Sequence, residues 1–147
     1  MFKSVIVPLD GSECAQKAFA VAVDLAKQHG ADVAICSIVD PVMVVGSAPP
    51  SPAMDVVLTD MQNEARRNVE DAVERARQAG VAARGEVITG LAFERILDFA
   101  KRNAADVIVM GTHGRQGLPR FFMGSVAEMV LRKSTCPVLI VREGAEA

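Results

Sequence analysis

Tryptophan and tyrosine are absent from this chain of 147 residues, and its only aromatics are six phenylalanines. Proteins that hold single-stranded nucleic acid stack bases on aromatic side chains. A formal net charge of −2 supplies no field for a phosphate backbone either, so no nucleic-acid partner is expected. Two histidines, His29 and His113, cannot build a His-rich metal centre. The three cysteines, Cys14, Cys36 and Cys136, are odd in number, widely spaced and without a Cys-x-x-Cys pair. That excludes a disulfide framework and points to reduced thiols in a cytoplasmic protein. No apolar run approaches the length of a membrane span. Met1-Phe2-Lys3-Ser4 leads straight into a strand pattern, so neither a membrane segment nor a signal peptide is expected. The constellations of covalent catalysis are missing as well: no Ser/His/Asp trio, no paired carboxylates, and no nucleophilic cysteine with a histidine neighbour. No catalytic residue is assigned.

Half of the residues are apolar, enough for a sizeable core, and the length fits one domain over residues 1–147. Val5-Ile6-Val7-Pro8-Leu9 reads as a short central strand, followed by turn chemistry at Asp10-Gly11-Ser12 with Ser12 as a helix cap. Ala15, Ala18, Phe19, Ala22, Val23 and Ala26 recur at helical spacing up to Gly30. Asp32–Val39 is a second strand. Residues 41–53, rich in proline, are expected to form a flexible surface loop. A long helix follows from about Ala53 to Ala79, with an apolar stripe of Met61, Ala65, Val69, Ala72, Val73 and Ala76. Val81–Ile88 reads as a more polar strand near an edge. A helix carrying Phe93, Ile96, Leu97 and Ala100 comes next, then strands at Asp106–Met110 and Pro137–Val141. Strands alternating with helices predict an α/β fold with a parallel sheet and right-handed crossovers. In such sheets ligands bind beyond the carboxyl ends of the strands, where the strand order reverses. Pro8-Leu9-Asp10, Ile38-Val39-Asp40 and Met110-Gly111 all fall at such ends.

The segment from Gly111 to Ser125 carries the most chemistry. A buried strand ends, a glycine-rich loop follows, and a helix opens on Gly124-Ser125. Backbone N–H groups at a helix start favour an anion through both hydrogen bonds and the helix dipole. Glycines let the main chain approach a phosphate. No Gly-Lys-Ser/Thr is present, so this is not a Walker A loop. A simple strand–helix connection needing positive φ is the plainer alternative. For Asp10 the alternatives are a helix cap and a ribose ligand, and they are compatible. His113 is either a loop cap or a phosphate contact, while Arg115 and Arg120 are either solvated charges or phosphate partners. Met110 is either core or cofactor wall.

The whole chain resembles the universal stress protein family in its ATP-binding branch. The resemblance rests on Val5-Ile6-Val7-Pro8-Leu9-Asp10-Gly11-Ser12, Ser37-Ile38-Val39-Asp40, the run from Ala104 to Arg115, Gly124-Ser125-Val126-Ala127 and Cys136-Pro137-Val138-Leu139-Ile140-Val141. The family signature of Gly, two residues, Gly, nine residues, Gly and Ser is met in full by Gly111, Gly114, Gly124 and Ser125. The resemblance implies a three-layer Rossmann-like fold of the adenine nucleotide hydrolase type, with an open parallel five-stranded sheet and helices on both faces. It also implies an ATP site, with Mg2+ held through the phosphates, and a homodimer joined through Val138–Val141. Asp10 should face the ribose or adenine, beside Pro8 and Leu9. Ile38, next to Val39, and Met110 should wall the adenine. Gly111, Thr112, His113, Gly114 and Arg115 should line the ribose and phosphates. Gly124, Ser125, Val126 and Ala127 should hold the phosphates. One departure is Gly90-Leu91-Ala92, where the family often has Gly-Asp/Asn-Pro before its third helix.

The expected function is that of a cytoplasmic ATP-binding stress-response switch or chaperone-like factor, with unknown protein clients and at most slow ATP hydrolysis. Phosphoryl transfer needs a residue to orient water, and His113 is the one candidate. A dimeric interaction module of the same fold, without nucleotide, is the first alternative. An adenylating enzyme is the second, and Asp10-Gly11-Ser12-Glu13 lacks the Ser-Gly-Gly-x-Asp-Ser loop such enzymes usually carry.

Overall fold

The protein is seen here as a computed structural model that describes residues 2–42, 46, 48–112 and 123–142. Five strands, β1 (Ser4–Pro8), β2 (Asp32–Val39), β3 (Ala83–Thr89), β4 (Val107–Gly111) and β5 (Val138–Val141), form one sheet in the order β3-β2-β1-β4-β5. All four pairings are parallel. The helices are α1 (Glu13–His29), α2 (Pro52–Gln78), α3 (Ala92–Arg102) and α4 (Ser125–Lys133). This is the α/β parallel sheet expected from the alternation of strands and helices, in the Rossmann-like form that the resemblance implies.

Side chains alternate across a strand, and the central strands are apolar on both faces because both faces are covered. Val5, Val7, Val33, Ile35, Val107 and Val109 join a core that includes Phe19 and Ala22 of α1 and Val69 and Ala72 of α2. Ile6, Ala34, Cys36, Ile108 and Met110 turn the other way and pack with Ile96 and Phe99 of α3 and Ala127 and Val130 of α4. β3 and β5 are the two edges. β3 carries Arg84 and Glu86 outward, which guards it against pairing with other strands. β5 carries Leu139, 41 % exposed.

Asp106 ties the beginnings of two central strands together. Its Oδ2 accepts from the amides of Lys3 at 2.7 Å and Ser4 at 2.9 Å. Those two donors hold its carboxyl below the ordinary 3.8. A carboxyl depressed by folding contributes stability that is complete above its unfolded pKa, near ~4, and is lost as the pH falls through its lower folded value. Asp106→Ala is therefore expected to lower the urea midpoint at neutral pH. The difference from the wild type should shrink as the pH is taken below about 4. A gap that stays constant down to acid pH overturns this role.

Candidate functional site

The strand order reverses at β1. The chain passes from β1 to β2 on one side and, after β3, crosses over to β4 on the other. Val5 pairs with Val107 and Ile6 with Ile108, so Pro8-Leu9-Asp10 and Met110-Gly111-Thr112 leave the sheet side by side. On the far side of β1, Pro8 pairs with Cys36, and the Leu9 amide donates to the Cys36 carbonyl at 2.7 Å. Ile38 and Val39 thus end β2 next to Leu9 and Asp10. The Gly124 amide donates to the Thr112 carbonyl at 2.6 Å, which fastens the start of α4 to the end of β4. The structure therefore brings Pro8, Leu9, Asp10, Ile38, Val39, Met110, Gly111, Thr112 and Gly124 to Ala127 to one edge. His113, Gly114 and Arg115, together with Arg120, lie outside the described residues.

Local chemistry explains how each segment is held. Gly11 turns the chain with φ 83°. Asp10 Oδ1 accepts from the Ser12 amide at 2.9 Å, and Ser12 Oγ accepts from the Ala15 amide at 3.1 Å, capping α1. Asp10, just beyond the carboxyl end of β1, is exposed. Leu9 is buried in the α1/α2 core and Met110 in the α3/α4 core, so each anchors its strand end from a different face. Ile38 is half-buried against the same core as Met110.

Helix ends distinguish the site further. A helix start leaves its first amides without intrahelical acceptors. Ser12 caps α1, Ser51 Oγ accepts from the Met54 amide of α2 at 3.3 Å, and Asp40 Oδ2 accepts from the Ala92 amide of α3 at 3.2 Å. At α4 the cap position is Gly124, which has no side chain, and among the described residues no other side chain caps the helix. The amides of Ser125, Val126 and Ala127 open the helix at the crevice, and the Ser125 side chain is exposed beside them. Gly124 has φ −64° and ψ 155°, ordinary extended values. Gly111 is likewise absent from the positive-φ residues. At these two positions, positive φ is not the reason for glycine.

Two further residues shape the site: Cys14, which has no signal in its motifs, and Asp40, whose strand-end position is visible in the sequence but not its role. Cys14, in the first turn of α1, lies under Gly111. Its Sγ is 3.3 Å from both the Val141 carbonyl and the Thr112 amide, which also approaches the Val141 carbonyl at 3.2 Å. Thr112, 6 % exposed, therefore joins the end of β4 to the last residue of edge strand β5. Asp40, 7 % exposed, also accepts from the Val42 amide at 3.0 Å, holding the β2 exit against α3. Cys36 is chemically quiet: burial, with a smaller push from Glu86, raises its thiol far above the ordinary range. Among the described residues no group of three or more His, Cys, Asp or Glu is placed to hold a metal ion. No helix among them is long and apolar enough to cross a membrane.

Known proteins share this arrangement. The profile of the universal stress protein family matches residues 1–142. The universal stress protein YxiE of Bacillus subtilis is 34% identical over 148 residues, covering 97% of this chain and 100% of its own. The solved structure of the protein MJ0577, known in Methanocaldococcus jannaschii as a universal stress protein, superposes with a TM-score of 0.84 at 25% identity, covering 99% of each chain. A universal stress protein in complex with cAMP shares the fold with a TM-score of 0.71 at 24% identity, covering 96% of this chain and 97% of its own. With the family profile matching nearly from end to end and a relative of this identity aligned along its full length, the chain belongs to the universal stress protein family.

Proposed function

We propose that this protein binds ATP at the β1/β4 crevice and works as a nucleotide-dependent stress-response switch or chaperone-like factor. The observation that carries the reading is the open start of α4. Three other helices have a first-turn amide satisfied by Ser12, Ser51 or Asp40, whereas among the described residues no side chain meets the amides of Ser125, Val126 and Ala127 of α4, at the place where the strand order reverses. An anion is the natural partner for such amides. The glycine at the cap, with ordinary φ and ψ, suits a phosphate that must come close. Pro8, Leu9, Ile38, Val39 and Met110 would form the adenine side and Asp10 the ribose side. Gly111, Thr112, His113, Gly114 and Arg115 would continue the phosphate side, and Mg2+ would reach the site with the phosphates. The cAMP complex shows an adenine nucleotide held by a protein of the same fold, which supports an adenine ligand here. Bound nucleotide supplies no covalent chemistry by this reading. The chain's own residues bind and orient it, and hydrolysis is slow at most because His113 is the one candidate to orient a water.

The reading includes one cytoplasmic domain and a homodimer. β5 ends the sheet as an apolar edge, with Leu139 exposed on the α1 side and Val21 of α1 in the same layer, 36 % exposed. Pairing of Val138–Val141 with a second copy would satisfy the unpaired backbone and cover both side chains. The test has two arms. Mass spectrometry of the acid-denatured protein as isolated, with titration calorimetry against Mg-ATP, is expected to show a bound adenine nucleotide or a clear heat of binding. No nucleotide and no heat would leave the interaction module as the better account. Light scattering at micromolar concentration is expected to give a dimer, and a monomer overturns the β5 pairing.

A further inference from the structure

Helix α2 is longer than the sheet it covers. Gln62 Nε2 donates to Oγ1 of Thr89, the last residue of β3, at 3.1 Å. The sheet therefore ends at the level of Gln62, while the helix begins ten residues earlier at Pro52. At 1.5 Å per residue, that overhang projects about 15 Å past the carboxyl edge of the sheet. Below this level α2 buries Ala65, Val69, Ala72 and Ala76. The same stripe continues upward at helical spacing through Met61, Leu58, Val57 and Met54. None of these four belongs to either core of the sheet. Val57 is 45 % exposed, and Met54, Leu58 and Met61 are half-buried.

The charges on the overhang have one sign. Residues 52–61 contain Asp55 and Asp60 and no lysine or arginine, and Glu64 follows just below them. Helical projection places Asp55 along one flank of the stripe and Asp60 and Glu64 along the other. Asp55 complements the helix dipole in the first turn. Asp60 is beyond the first turn, exposed, and in no ion pair among the described residues. The lower half of the helix carries Arg66, Arg67, Arg75 and Arg77 against Glu70, Asp71 and Glu74, so an unbalanced negative charge belongs to the overhang.

We propose that this overhang is a docking ridge for an amphipathic helix of a partner protein, one whose apolar face is bordered by lysine or arginine. Apolar side chains at i, i+3, i+4 and i+7 form the ridge that a second helix packs against. Met54 and Met61 can adapt to a partner of varied shape. The two acidic flanks steer a basic partner and fix its orientation. A stripe of this size suits a transient, weak complex. The surface is separate from the residues assigned to nucleotide, so it stands whether or not ATP binds.

The probe is a short fluorescent amphipathic helix of leucine and lysine, with a leucine and glutamate counterpart, added to the full chain. Anisotropy is expected to show micromolar, salt-sensitive binding of the lysine peptide and none of the glutamate peptide. In 15N spectra the shifted amides should cluster in residues 52–64. Val57→Asp and the pair Asp55→Lys with Asp60→Lys change exposed positions, and their urea midpoints check the fold. Each is expected to weaken binding about tenfold. Shifts spread over other surfaces, or affinity indifferent to these variants, overturns the proposal. So does a loss of self-association in Val57→Asp with peptide affinity intact, since a second copy is then the occupant. Binding that appears only when residues 113–122 are replaced by a Gly-Ser linker assigns the stripe to the chain's own loop, and overturns the proposal equally.

Discussion

Gly111→Ala is expected to destabilise the protein by about 2 kcal/mol, in the range for forcing a methyl group into a packed site. The thermal midpoint should fall by about 5 °C. The cause is a single close approach. A Cβ at residue 111 would lie 2.6 Å from Cys14 Sγ, 3.0 Å from Cys14 Cβ and 3.1 Å from the Cys14 carbonyl carbon. A sulfur can rotate away, but it would abandon the Val141 carbonyl and the Thr112 amide. The Cys14 backbone cannot rotate away, so α1 has to shift from β4. The end of β4 and Thr112 shift with it, so nucleotide affinity is expected to fall together with stability. Cys14→Ala in the same chain removes the sulfur clash and leaves the backbone one. The double variant should recover part of the loss, a non-additive result. A Gly111→Ala protein as stable as the wild type would refute the close packing of α1 on β4.

The same residue shows where sequence reading stops. In the sequence, Gly111, Gly114 and Gly124 form one motif and share one explanation. In the structure Gly111 makes room for Cys14, whereas Gly124 is the cap residue of α4 with ordinary extended φ and ψ. The partner of Gly111, Cys14, lies nearly a hundred positions away, and the same cysteine meets Thr112 across 98 residues. No local pattern carries that information. The capping of α3 is similar. Leu91 offers it no side-chain cap, and the missing acceptor comes from Asp40, 52 residues away. The departure at Gly90-Leu91-Ala92 is visible in the sequence, but what offsets it is not. The alternation of elements was legible because the strands are short apolar runs and the helices carry clear stripes. The expected strand from Val81 begins at Ala83 instead, for a physical reason. Gly80 adopts φ 86°, the Val81 amide bonds back to the Ala76 carbonyl at 3.0 Å, and Val81 packs on the core as the closing residue of α2. An apolar residue just beyond a helix serves such a cap as well as it serves a strand. The three strand ends could be assigned to one edge because a parallel sheet puts all its carboxyl ends together.

Gly124→Ala is expected to have a different signature, with ATP affinity lost beyond what any change in stability explains. Its φ of −64° and ψ of 155° are open to alanine, and exchanging glycine for alanine at a helix cap costs about 1 kcal/mol or less. Residue 124 is buried, so the urea midpoint is read beside the affinity. A phosphate drawn to the amides of Ser125, Val126 and Ala127 has to pass close to the α-carbon of residue 124. A methyl group there is expected to weaken ATP at least about tenfold, equivalent to about 1.4 kcal/mol. Adenosine, with no phosphate to place, is expected to bind both proteins equally by calorimetry. The comparison separates the two ends of the ligand: a shifted helix start or a damaged adenine wall would weaken adenosine as well, whereas a crowded phosphate cradle weakens ATP alone. Equal ATP affinity in the two proteins would mean that the start of α4 does not hold the phosphates, and the open amides there would need another partner.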